Sequence, residues 1–240
     1  MDIKNLIIVV SFLLISYSYG QSKGSIEVEV TYKKALINNK GKSKTPIKFV
    51  NDLSYKLIAN DSVALFKRNE SMKTDTEFDN SYRLATRGGN GIYYKNRRKK
   101  IKLRQVETAG ELFLITYPYN EWNIELTRET KKIDQYTCYK AILTKDEYSS
   151  IQKKKVKIKA IVWYTPEIPL PFGVAGFDGL PGLVLEVTKG GTYIVVDNIK
   201  FKTNNSKTKI LPPKGGIEVT VKGYNEKLLE LFKKIRKRKN

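Results

Sequence analysis

The chain has 240 residues, with 45 Lys and Arg against 24 Asp and Glu, a formal net charge of +21 at pH 7. It has no histidine and one cysteine. These counts exclude Ser-His and Cys-His nucleophile pairs, an imidazole proton shuttle, the common zinc sites and any intrachain disulfide.

In chain order, the first twenty residues read as a secretory signal. Lys4 is followed by an apolar run from Leu6 to Ile15 broken only by Ser11, and Ser18-Tyr19-Gly20 places small residues before a cut at Gln21. The run is about half of the ~20 residues that a membrane-spanning helix needs. The expectation is an exported chain, in the periplasm or at the cell surface, soluble after cleavage near Gly20. Residues 21–222 are then read as one β domain and 223–240 as a helix with a basic tail.

Period-two alternation dominates the mature chain. Ile26, Val28, Val30 and Tyr32 share one face of a first strand. Asn60-Asp61 joins strands 55–59 and 62–67, and Asn96-Arg97-Arg98-Lys99 joins 91–95 to 100–105. Strands 112–117, 133–143 and 153–164 follow, then 183–187, 192–197, 199–203 and 217–222. The polar stretch 70–90 reads as a loop. Short turns between so many strands imply consecutive antiparallel pairing. The predicted fold is mainly β: a single large curved antiparallel sheet closed by a C-terminal amphipathic helix. In that helix Leu228, Leu231, Phe232 and Ile235 share a face and Asn225 serves as N-cap. Cys138 alternates within Tyr136-Thr137-Cys138-Tyr139 and reads as a small buried hydrophobe.

Between two strands runs Thr165-Pro166-Glu167-Ile168-Pro169-Leu170-Pro171-Phe172-Gly173, whose prolines take it off the sheet. It returns through Phe177-Asp178-Gly179-Leu180-Pro181-Gly182-Leu183. Pro181 and Gly182 predict a type II turn with positive φ at Gly182.

These residues resemble the GLPGLI family of exported Bacteroidetes proteins, named for this motif. Lys132-Ile133-Asp134-Gln135-Tyr136-Thr137-Cys138-Tyr139-Lys140-Ala141 resembles its Tyr-x-Cys-x-Lys-Ala segment, and Trp163-Tyr164-Thr165-Pro166-Glu167-Ile168-Pro169 its Trp-aromatic-Thr-x-Glu-Ile-Pro block. Val184 and Val174 depart from the family pattern. The resemblance implies an envelope protein of uncharacterised function, with no catalytic residues to carry over. The order of elements also resembles the lipoprotein-carrier type of half-barrel, which implies a sheet cradling an apolar cavity.

Trp163, Tyr164, Glu167, Phe177 and Asp178 are the candidate binding residues. Gly179, Leu180, Pro181, Gly182 and Leu183 are the structural motif. The expected ligand is apolar or a protein partner, with no cofactor and no metal. An acid pair, Glu167 with Asp178, is the alternative for hydrolysis of envelope glycans. Arg97, Arg98, Lys99, Lys100 and Lys102, the strand bases Lys153, Lys154, Lys155, Lys157 and Lys159, and the tail form basic surfaces suited to anionic lipid or polysaccharide, without a motif for specific nucleic acid.

Overall fold

The computed structural model describes residues 26–37, 48–69, 91–149, 154–202 and 208–237. The expected signal segment, the polar stretch 70–90, Lys153 and the last three residues of the basic tail lie outside that set.

The described elements are β1 (Glu27–Leu36), β2 (Lys48–Asn60), β3 (Val63–Arg68), β4 (Ile92–Asn96), β5 (Ile101–Thr108), β6 (Glu111–Thr116), β7 (Asn123–Ile133), β8 (Tyr136–Ser149), β9 (Lys154–Thr165), β10 (Leu183–Lys189), β11 (Thr192–Lys202), β12 (Ile217–Thr220) and the helix α1 (Val221–Lys237). One sheet contains all twelve strands in the order β12-β6-β5-β4-β3-β2-β1-β11-β10-β9-β8-β7. Neighbours are antiparallel except β12 and β6, which are parallel, a pairing that a hairpin cannot produce.

Turn chemistry explains the hairpins. Asn60 Oδ1 accepts from the Ser62 and Val63 amides at 3.0 Å, and Asn96 Oδ1 accepts from the Lys99 amide at 2.9 Å. Both are Asx-type turns. Gly190 takes a φ of 55° in the tight turn from β10 to β11.

The sheet is strongly curved. β5 and β8 stand eight strand spacings apart in the order, about 38 Å if the sheet were flat. Yet Lys102 on β5 and Lys145 on β8 grip the same Glu121 carboxylate, at 2.6 and 2.7 Å. Only a bowl brings them within reach.

The bowl is not empty. Its concave floor, built from residues such as Val30, Tyr32, Leu57 and Val162, is covered by Ile168, Leu170, Phe172, Val174 and Leu180, each at most 1% exposed. The crossing segment is therefore the second layer of the core, and it fills the face where an apolar ligand was expected. A remaining void beneath it, lined by Leu57, Ala64, Phe66 and Phe172 among others, is about 20 Å³, room for one water.

Several expectations need correction. The helix starts at Val221, not after Asn225; Thr220 is its cap, with Thr220 Oγ1 accepting from the Gly223 amide at 3.2 Å. β7 lies where the sequence showed only Ile133, because an exposed edge strand has no apolar face to reveal it. Strands 192–197 and 199–203 are one strand, β11, bulged at Asp197 where the partner register moves from Asn198 to Val196. Helix side chains Val221, Tyr224 and Leu231 pack on Phe113 and Ile115, with Tyr224 edge-on to Phe113 at 5.2 Å. Among the described residues no helix is long and apolar enough to cross a membrane.

Candidate functional site

The crossing segment is held by its own backbone. Leu170 donates to Ile168 O, Phe172 to Leu170 O and Gly182 to Leu180 O, each at 2.8 Å. These are three-residue turns centred on Pro169, Pro171 and Pro181, whose rings preset the required φ. The expected type II turn is thus replaced by a tighter one, and positive φ falls on Gly179 (92°) rather than Gly182. Gly182 is needed for space instead. A Cβ there would sit 2.1 Å from the Thr165 carbonyl oxygen. Leu183 and Val184 then donate to Ile168 O and Phe172 O at 3.0 Å, which docks β10 onto the segment.

The five candidate side chains do not share one site. Alternation on β9 sends Tyr164 into the core and Trp163 to the opposite face, where Lys131 Nζ lies 4.4 Å from the Trp163 ring centroid. Beside it Glu186 accepts from Lys131 at 2.6 Å and from Tyr193 Oη at 2.9 Å. Glu167 is exposed and accepts from the Thr137 amide at 2.7 Å. It stitches the crossing to β8. Phe177 stacks on Trp122 at 5.1 Å. Asp178, 7% exposed, is paired with Lys95 and, at 3.0 Å, with Lys102. Lys102 was read as a surface base, but only 4% of it is exposed. Its face also carries buried Val106, and that phase puts it inside. Arg97 to Lys100, Lys154, Lys155, Lys157 and Lys159 are exposed as expected.

Asp178 begins a chain of ions across the bowl. Lys102 passes from Asp178 to Glu121, Glu121 to Lys145, and Lys145 to Glu147 at 3.4 Å. Lys102 Nζ and Trp122 Nε1 both donate to Gly176 O, at 2.9 and 3.0 Å. The network thereby ties β4, β5, β8, the loop before β7 and the crossing segment together. Burial would raise the Glu121 carboxyl, but Lys102 and Lys145 outweigh it and hold the group below the ordinary carboxylate range. A carboxyl lowered by folding contributes stability above its unfolded pKa and loses it as pH falls through the folded one. Glu121→Gln should therefore cost about 2 kcal/mol at pH 7. The gap from wild type in Tm should close as pH drops from 5 to 2, followed by circular dichroism. A gap that stays constant would remove the ion pairs as its cause.

Above the floor, the mouth of the bowl encloses a cavity of about 300 Å³. Its walls are Tyr93, Tyr117, Trp122 and Phe177, with charge from Lys34, Arg104, Lys145, Lys189, Glu121 and Glu147. Of the sequence candidates only Phe177 lines it. Cys138 is fully buried, and burial pushes its thiol up to about 11. The two acids proposed as a pair serve different parts of the fold.

Comparison with known proteins places residues 144–186 in the profile of a family described as "Protein of unknown function (Porph_ging)". That match covers under a fifth of the chain. It includes the Trp163 block and the Gly179–Leu183 motif, but not the block around Cys138. Two solved structures of PNGF-II, in space groups C2 and P21, share the fold, each with a TM-score of 0.54 at 16% identity over 86% of this chain. The chain spans about a third of PNGF-II, 33% and 34% in the two structures. No curated protein matches it.

Proposed function

We propose that the chain is an exported binding module of the cell envelope. It holds a small ligand, or the tip of a partner, in the mouth of the bowl, and it catalyses no reaction. The observation that carries this reading is the division of the concave face: the floor is filled by the crossing segment, and the mouth keeps a lined cavity of about 300 Å³. A carrier of bulky apolar cargo needs the floor open, so the ligand is polar and small. The prolines and close-packed glycines make the floor a rigid support for Phe177 and Trp122, and thus for one wall of the cavity. Exposed bases on the β4–β5 turn and on β9 favour a second, weaker association with anionic lipid or polysaccharide.

A library of small polar metabolites and sugars, screened by amide and indole NMR shifts, tests the proposal. Some member should move Tyr93, Tyr117 and Trp122 saturably. If no compound perturbs those residues, or if a compound is turned over, the reading fails.

A further inference from the structure

A groove of about 810 Å³ runs between α1, the end of β8 and the loop from β6 to β7. Its apolar lining is Tyr117, Pro118, Tyr148, Val221 and Leu229, and Tyr148 is 46% exposed. It adjoins the mouth of the bowl, with Tyr117, Glu121, Lys145 and Glu147 lining both. α1 packs one series of side chains, Val221, Tyr224 and Leu231, against its own sheet. A second series, Lys222, Asn225 and Leu229, borders the groove, and the same three-four spacing continues in the sequence through Phe232 and Arg236. A helix with two such seams can pack on two surfaces.

We propose that this groove is the interface between two copies of the chain related by a two-fold axis, each laying the C-terminal half of its α1 and the basic tail in the groove of the other. The proposal does not depend on the ligand read for the mouth.

Charge complementarity names the occupant. Four carboxylates, Glu121, Asp146, Glu147 and Glu226, line the groove beside two lysines, Lys145 and Lys222. Glu121 is already held by Lys102 and Lys145, and it contributes nothing further. The other three are loosely engaged. Glu147 shares Lys145 at 3.4 Å with its side chain 40% exposed, and Glu226 is 4.0 Å from Lys222, both exposed. Exposed Asp146 is opposite Lys157 in the β8–β9 register, and no ion pair joins them among the described residues. Exposed pairs of this kind contribute little, so these carboxylates are open to a better partner. On a chain of net charge +21, a local excess of carboxylate beside apolar surface selects a basic amphipathic segment. The chain carries one, with Lys233, Lys234, Arg236, Lys237, Arg238 and Lys239 interleaved with Phe232 and Ile235.

That segment must come from another molecule. α1 ends at Lys237, about 12 Å beyond Leu229 along the helix axis. The residues that follow, Arg238 to Asn240, span at most ~11 Å, too short to fold back and lie along the groove. Two antiparallel copies of α1 meet the requirement. With Leu229 opposite Phe232 of the second copy, the two-fold repeats the contact in reverse. Asn225 then comes level with Arg236 of the second copy, with Glu226 beside it. The bases that follow run on toward Asp146 and Glu147.

Sedimentation equilibrium of the purified protein, up to about 300 µM, tests this, with circular dichroism of every variant as the control for folding. A monomer–dimer equilibrium is expected. E226R and R236E should each weaken the dimer at least fivefold, and the E226R/R236E double variant should recover most of the loss, because the charges are exchanged across the two-fold. Positions 226 and 236 are about 15 Å apart along one helix, so recovery cannot arise within one copy. A chain ending at Lys233 should be monomeric, while R98Q/K99Q, on the exposed β4–β5 turn, should dimerise as wild type does. Should truncation impair folding, the charge exchange alone decides. A chain that stays monomeric at 300 µM overturns the proposal, and uptake of a hydrophobic dye by that monomer would assign the groove to an apolar ligand instead. A dimer that neither the truncation nor E226R weakens lies on another surface and equally overturns it. Losses in both single variants with no recovery in the double one overturn the antiparallel pairing.

Discussion

Gly182→Ala should lower Tm by roughly 6–12 °C, because the new methyl has nowhere to go. Its ideal position is 2.1 Å from Thr165 O, 2.6 Å from Thr165 C and 2.9 Å from Pro166 Cα. All three are backbone atoms at the point where the crossing segment leaves β9, so no side-chain rotation relieves the overlap. Overpacking of this kind costs about 3 kcal/mol, and each kcal/mol moves Tm by about 2–4 °C in a domain of this size. Gly173→Ala should behave alike, since its Cβ would lie 2.0 Å from Phe177 O. Gly190→Ala is the comparison. It has a φ of 55° and nothing within 4 Å of the added carbon, so only backbone strain of about 1 kcal/mol applies. Thermal melts of the three variants separate the two effects. A Gly182→Ala variant that melts with Gly190→Ala would mean that the crossing is not held against the sheet.

Alternation was enough to place most strands, because a half-buried strand writes its inner face in every second residue. It failed where that pattern is absent. β7 has exposed residues on both faces, including Leu126 at 54% exposure. The bulge at Asp197 and the parallel pairing of β12 depend on partners distant in the chain. The motif was legible as a rigid re-entry but not in its mechanism: Gly182 gives space, Gly179 gives positive φ, and Pro181 centres a three-residue turn.

The site was less legible still. Trp163, Tyr164, Glu167 and Asp178 drew notice by clustering in sequence, and the fold disperses them. The bases of the mouth carried a usable signal. Lys34, Arg104, Lys145 and Lys189 are each in phase with core residues, where a surface base would be out of phase. Glu121 and Trp122 carried none, since a loop residue's neighbours are set by sheet curvature rather than local pattern.

Asp178 and Glu167, two acids that look alike in the sequence, differ in what their loss should cost. Asp178→Asn should cost about 3–5 kcal/mol, a fall in Tm of roughly 6–20 °C. It strips charge compensation from Lys95 and Lys102, whose side chains are 7% and 4% exposed. Lys102 keeps Glu121 and Gly176 O, but Lys95 loses its carboxylate. Burial already holds Lys95 below the usual lysine range even with Asp178 opposing it. Adding Lys95→Met to Asp178→Asn should therefore recover most of the loss, because an apolar side chain needs no partner there. Glu167→Gln removes only an exposed charge and keeps an acceptor for the Thr137 amide, so its cost should stay under about 1 kcal/mol. Urea melts of the four proteins give the comparison. If Asp178→Asn proves as mild as Glu167→Gln, the ion chain does not hold the bowl together. If Lys95→Met fails to rescue it, the cost lies in Lys102 rather than in the stranded Lys95.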